Sequence, residues 1–162
     1  MLIDDINALL SLYGEKIAQD IRTRMAEDGT VATGASNASL EYGVEGATLR
    51  VTGSEGIAVV SEGRPAGKRF PNIQNIKDWI AAKGITPNAS TIRPRDLAFV
   101  IARAISQNGS IKRFGYKGSG LLDYVINKNN ETLTQDLADL GLEYLDAQLV
   151  GQFTKSKDIQ IR

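Results

Sequence analysis

The chain has no cysteine and no histidine in its 162 residues. The first absence excludes disulfides, thiolate nucleophiles and thiolate-ligated metals. The second removes the commonest general base and the commonest metal ligand together. Any catalysis would have to run on Asp, Glu, Lys, Ser, Thr or Tyr, and no cofactor or metal is expected. A surplus charge is also missing, since Lys and Arg total 19 and Asp and Glu total 19. A protein that coats DNA is usually basic, so this balance argues against that class while leaving room for local basic patches. No apolar run approaches the ~18 residues of a membrane span, so no membrane partner is expected. The opening "MLIDDINALL" carries two acids where a secretory leader needs positive charge. The expectation is a chain made and used in the cytosol, unless it is later built into a particle.

Apolar residues make up 42% and charged residues 23%, ordinary values for a globular protein. The length suits one domain with a substantial core. Residues 2 to about 27 read as a helix, with Ile3, Ile6, Leu10, Tyr13, Ile17 and Ile21 on one face. Gly14 interrupts that face at a cost of about 1 kcal/mol relative to Ala, and Gly29 suits a C-terminal cap. Residues 30–38, "TVATGASNA", read as a loop. The period then falls to two. In "SLEYGVEG" and "ATLRVTG", Leu40, Tyr42, Val44, Leu49 and Val51 alternate with polar residues, which predicts a hairpin turning at Glu45 and Gly46. "IAVVSEG" reads as a third strand, completing an antiparallel meander with Ile57 and Val59 inward.

Helices return after residue 72. Ile73, Ile76 and Ile80 line one face of the next, with Trp79 beside them and Gly84 at the stop. Pro94 opens another, where its missing N–H costs nothing; its apolar face reads as Leu97, Val100, Ile101, Ala104 and Ile105, and Gly109 ends it. From Ser119 to about Gln152 the pattern is helical again, with "NKNN" marking a kink or a split. Ile159 and Ile161 alternate at the end, as in an added strand. No internal repeat appears. The fold class is α+β, with a long N-terminal helix, a small antiparallel meander and two to three further helices, the last one long. Residues 1–152 form the domain, and 153–162 form a tail that serves as an added strand or subunit-contact arm.

Two Gly-rich basic stretches invite a chemical reading. "GRPAGKR" resembles a phosphate loop, but a Walker A loop needs G-x-x-x-x-G-K-[ST]. Here Gly63 and Gly67 stand one residue too close, Arg69 replaces the Ser or Thr that would hold Mg²⁺, and Pro65 removes a backbone N–H. "GYKGSG" lacks dinucleotide-loop spacing and follows no strong strand. Basic residues gather at Arg64, Lys68, Arg69, Lys112, Arg113 and Lys117, with Phe70, Phe114 and Tyr116 between them. Aromatics among cations can mark nucleic-acid contact, and they can equally anchor loops to a core. The acidic pairs Asp4–Asp5, Glu41–Glu45 and Asp136–Asp139 lie on polar faces and read as solvated surface. Ser54, Ser61 and Ser119 have no base partner, which disfavours serine catalysis.

The order of segments resembles a known family. Thr33, Gly34, Ser39 and Leu40 lead into a strand. Val60, Glu62, Gly63, Arg64, Pro65, Gly67 and Lys68 follow the pattern "V-x-E-x-G-R-x-P-G-K" loosely. Ile76, Trp79, Ile80, Lys83, Gly84 and Ile85 match "I-x-x-W-I-x-x-K-G-I", and "AFVIARAISQNGS" resembles the helix that comes next. Together they resemble the neck or tail-completion proteins of tailed bacteriophages, the head–tail joining family, over roughly residues 33 to 126. The chain departs from that pattern at "GRPAGKRF" and in its long C-terminal segment. The resemblance implies a non-catalytic virion protein that forms a ring, commonly of six or twelve copies, between portal and tail proteins around the path of the viral DNA. Glu62, Arg64, Lys68, Arg69, Lys112, Arg113 and Lys117 would then face a neighbouring subunit or the DNA channel. The rival expectation is a nucleic-acid-binding accessory protein that uses the two basic loops. A small hydrolase or transferase working through carboxylates ranks third.

Overall fold

The computed structural model describes residues 2–31, 33–87, 93–114 and 117–159, with side chains described except at 94–95, 111–114 and 151–159. The fold is α+β. In chain order it runs α1 (Leu2–Glu27), α2 (Ala35–Ala38), β1 (Glu41–Glu45), β2 (Thr48–Thr52), α3 (Glu55–Glu62), α4 (Ile73–Lys83), α5 (Pro94–Phe114) and α6 (Leu121–Ile159).

Helix α1 ends in a Schellman cap. Gly29 adopts φ 62°; its N–H donates to the Ala26 carbonyl at 3.1 Å, and that of Thr30 donates to Met25 at 3.0 Å. The segment read as a loop at 30–38 contains the single turn α2. Arg22 of α1 holds it in place by donating to the carbonyls of Asn37 and Leu40 at 3.3 and 3.2 Å.

Strands β1 and β2 pair antiparallel, with Tyr42 opposite Val51 and Val44 opposite Leu49. Gly46 and Ala47 both have positive φ, as a two-residue type I′ hairpin turn requires. Asn7 of α1 accepts the Ala47 N–H at 3.1 Å and pins the turn. Val44, Leu49 and Val51 are half-buried, whereas Glu41 and Arg50 are exposed, as the alternation requires. Tyr42 lies at the margin, largely exposed but with its ring against α1. Gly14 makes that approach feasible, because a Cβ there would stand 2.5 Å from Tyr42 Cδ2 and 2.9 Å from Leu49 Cδ1. The residue that weakens α1 as a helix is therefore the one that seats the hairpin.

The expected third strand is a helix, α3. Ile57 and Ser61 are buried and Val60 is half-buried, a spacing of three and four that suits a helix face. A short apolar run satisfies both periods, and tertiary packing chose between them. Ser54, in extended conformation, precedes the helix and breaks the sheet; its N–H donates to Ser39 Oγ at 2.9 Å.

Helices α1 and α6 run antiparallel. The Tyr13 hydroxyl donates to Asp136 at 2.6 Å. Farther along, Asp20 accepts Lys128 Nζ at 2.9 Å and the Asn129 amide at 2.8 Å, and the Arg24 guanidinium lies over the Tyr124 ring. Asn129 is buried and also donates to the Val125 carbonyl. The "NKNN" segment therefore neither kinks nor splits the helix; it faces α1 with a polar tie. The helix continues through Ile159, so the tail does not start as an added strand; residues 160–162 lie outside the described residues. The core sits where these elements meet, at Ile21, Met25, Leu40, Ile57, Leu121 and Val125.

Helix α4 opens with Asn72, whose side chain accepts the Gln74 N–H at 2.8 Å, and ends at Gly84 in the left-handed region. It packs on α5 and turns Ile73, Ile76 and Ile80 inward, while Trp79 is left exposed at the edge. On α5 the wholly buried residues are Ala98 and Ala102; Val100, expected inward, is exposed. The helical geometry breaks at Gly109 and resumes to Phe114.

Replacing Gly14 with Val will push Tyr42 and Leu49 off α1 and destabilise the fold by about 1–3 kcal/mol, measured by urea unfolding, despite the gain in helix propensity. Asp20 supplies a pH test. Partial burial works against its charge, but the Asn129 amide and Lys128 ammonium outweigh it and hold the carboxyl below its usual range. A depressed acid contributes stability that is complete above the unfolded value near about 3.9 and disappears as pH falls through the lower folded value. Asp20→Asn will therefore lose about 1–3 kcal/mol at pH 7, and the gap from the parent will close on acidification below about pH 4.

Candidate interaction surface

The chain from Val60 to Arg69 is gripped from two sides. On one side the Arg64 N–H donates to Ser110 Oγ at 2.7 Å, and the Ser110 N–H donates to the Arg64 carbonyl at 2.9 Å. The Gly67 N–H donates to the Ser106 carbonyl at 2.9 Å, and Ser106 Oγ donates to the Lys68 carbonyl at 3.2 Å. On the other side, the N–H groups of Ser119 and Gly120 donate to Val60 and Ser61, both at 3.0 Å, and Ser61 Oγ accepts the Leu122 N–H at 3.0 Å. Segments 60–66, 106–110 and 118–122 thus share one backbone clasp.

Two glycines make that clasp possible. Gly109 has φ 64° and ψ 177°, a region essentially restricted to glycine. A Cβ there would meet the backbone of Arg64 and stand 2.7 Å from the Ala66 nitrogen. Gly118 has φ 82°, and its Cβ would meet the Ser61 carbonyl oxygen and stand 2.7 Å from the Glu62 carbonyl carbon. Gly109, expected to end a helix, and Gly118 are close-approach points between main chains.

This arrangement counts against a nucleotide loop. A phosphate cradle needs unengaged N–H groups at its rim. Here the N–H of Gly63 already serves the Val59 carbonyl, those of Arg64 and Gly67 serve α5, and Pro65 has none. What the loop offers outward is charge. Lys68 and Arg69 are exposed, while Arg64 is half-buried and its guanidinium donates back to the Arg69 carbonyl. Glu62 is exposed at the end of α3, and Lys117 is exposed just before the second grip. The clasp brings the two basic stretches, 46 or more residues apart at Arg64 and Ser110, to one place. Lys112 and Arg113 lie on the resumed helix after Gly109, with side chains outside the described set; so is that of Phe114, and Tyr116 falls outside altogether.

Beside the loop, the Phe70 ring stands 5.7 Å from that of Phe99 on α5, and the two are 41% and 50% exposed. Phe99, Arg103 and Ser106 share one face of α5 by their spacing of four and three. Lys68 and Arg69, which precede Phe70, and Arg103, one turn from Phe99, are all exposed next to this aromatic pair. Sequence reasoning noted Phe70 but missed Phe99 and Arg103, because their distance from the loop in sequence hides the contact made through Ser106.

Of the acidic pairs, Asp136 and Asp139 do structural or local work. Asp136 accepts the Tyr13 hydroxyl, which that bond holds above its usual pKa, and Asp139 accepts the Gln135 amide at 3.0 Å. Among the described residues, no group of three or more acidic side chains is placed to hold a metal ion. An apolar recess of about 420 Å³, bordered by Ile17, Leu49, Val51, Ile57, Val125 and Ile126, opens between α1, the hairpin and α6. Its lining offers contact area without converging polar groups. Among the described residues no helix is long and apolar enough to cross a membrane.

Gly109→Ala and Gly118→Ala will each cost about 2–4 kcal/mol by urea unfolding, from positive-φ strain together with main-chain overlap. In both variants, hydrogen exchange of the Arg64, Gly67 and Ser110 amides will accelerate first.

Compared with known proteins, the chain matches no family model, no curated protein and no solved structure. A functional reading therefore rests on the clasp, the charges it displays and the resemblance in the motifs.

Proposed function

We propose that the chain is a structural subunit of the head–tail joint of a tailed bacteriophage: a neck or tail-completion protein that assembles as a ring between portal and tail, around the path of the viral DNA, and performs no catalysis. The motif resemblance over residues 33 to 126 supplies the identity. The observation that supports it most is the clasped loop, in which backbone groups are spent on α5 and α6 while Lys68 and Arg69 stand outward on a fixed main chain. A loop so held can present charge to a neighbour or to passing DNA without reorganising. Exposed charges of this kind contribute about 0–1 kcal/mol to folding, so their use lies in contact. Asp20 and Asp136 are engaged between helices, which suits a protein that does no acid–base chemistry.

Lys68→Ser, Arg69→Ser and Lys117→Ser combined will leave the melting temperature within about 2 °C of the parent, as expected for exposed sites, and will reduce the number of joined head–tail particles in an assembly assay by at least about tenfold, the effect of 1.4 kcal/mol at one contact. Arg64 is kept, because its guanidinium braces the loop. Normal joining by this variant would reject the assignment of these residues. Salt-sensitive DNA binding by the isolated monomer, lost in the variant, would favour the nucleic-acid-binding accessory protein instead.

A further inference from the structure

The C-terminal half of α6 carries an apolar stripe that its own fold leaves bare. Leu142, Leu145 and Leu149 are 59%, 57% and 55% exposed. With Ala138 they recur at spacings of four, three and four, a seam for a partner surface. At 100° per residue the stripe lies roughly opposite the face that turns Asn129 and Asp136 toward α1. The pairings of Tyr13 with Asp136 and of Asp20 with Asn129 fix the antiparallel alignment. In that alignment Leu2, the first residue of α1, falls level with about residue 147, so the last dozen or so residues of α6 run past the end of α1.

The charge around this stripe is of one sign. From Glu131 to Gly151 the chain has five acids, Glu131, Asp136, Asp139, Glu143 and Asp146, and no Lys or Arg. Asp139 and Asp146 are exposed on one flank of the leucines, whereas Glu143, seven residues after Asp136, falls on the face turned toward α1. Two copies of this stretch packed on each other, parallel or antiparallel, would set acid against acid. The surface of matching character is the clasp patch: an exposed aromatic pair, Phe70 and Phe99, among Lys68, Arg69 and Arg103. Apolar meets apolar, and acids meet bases.

We propose that the α6 arm of one copy docks on the clasp patch of the next, with Leu142, Leu145 and Leu149 on Phe70 and Phe99, and Asp139 and Asp146 facing Lys68, Arg69 and Arg103. Arm and patch are different surfaces, so the contact is head-to-tail, and such contacts close into rings or run on as open chains. The choice of a second copy as occupant rests on the ring reading above; the complementarity of the two surfaces does not.

The lack of native cysteine makes the test direct. A chain carrying Leu145→Cys is mixed with one carrying Phe99→Cys under mild oxidation, and mass photometry of the unmodified protein is run in parallel. A disulfide-linked pair in the mixture and in neither variant alone is the expected result. Asp139→Lys with Asp146→Lys will weaken self-association by about tenfold or more, as expected for like charges brought together. Adding Lys68→Glu and Arg103→Glu to the same chain will restore it. Cross-linking of the Leu145→Cys chain with itself would overturn the proposal in favour of arm-to-arm pairing. Rings without the mixed cross-link would overturn the docking and leave the ring reading standing. Cross-linked open chains that never close would support the docking and count against the ring. Neither species at any concentration would overturn both.

Discussion

The fold depends on main chain meeting main chain at two points where no side chain intervenes. Residues 60–66 leave α3 and pass between Gly109 and Gly118, close enough that a single methyl group at either glycine would collide with backbone. Hydrogen bonds then run from this strip to Ser110 on one side and to Ser119 and Gly120 on the other. Helices α4 and α5 are thereby attached to the body formed by α1, the hairpin, α3 and the start of α6. Side-chain packing tolerates adjustment by rotamer changes, whereas a backbone contact at this range does not. The orientation of the charged loop is thus set by steric contact as much as by the hydrogen bonds.

The seam between α1 and α6 works differently. It combines apolar packing at Ile21, Met25 and Val125 with polar ties at Tyr13–Asp136 and Asp20–Asn129. A wholly apolar seam would allow the helices to slide by a turn. Paired polar groups, costly to leave unsatisfied when buried, penalise each slipped register. Asp136, one of the paired carboxylates of the bare sequence, is thus occupied in aligning helices, as is Asp20. The hairpin completes the body by covering Gly14, where the helix backbone is accessible.

The surface separates charge that is balanced in total. Acids gather along the second half of α6, and bases gather at the clasp with two exposed aromatic rings. A neutral chain with segregated charge is suited to ordered contact with its own kind or with a partner divided in the same way, because complementary fields favour one orientation over others. The ring reading and the docking of arm on patch both draw on this separation.

Much of the fold was legible in the sequence wherever one period dominated. Helix α1, the β1–β2 hairpin (its turn one residue later than expected, at Gly46 and Ala47) and α4 with its Gly84 end follow from local spacing and capping, which a few consecutive residues determine. The basic character of the loop and the failure of its phosphate-binding spacing were also written locally. Other features were decided only in three dimensions. "IAVVSEG" satisfies a strand and a helix equally, and the burial of Ile57 and Ser61 against α6 made it α3. Gly14, Gly109 and Gly118 look like weak points in a string of residues and act as points of close approach once Tyr42, Ala66 and Glu62 arrive from elsewhere. Phe99 and Arg103 join the basic loop only because Ser106 bonds to Gly67 and Lys68. The physical reason is the same in each case: the sequence carries the short-range preferences of the backbone, whereas contacts between distant segments depend on which surfaces packing brings together.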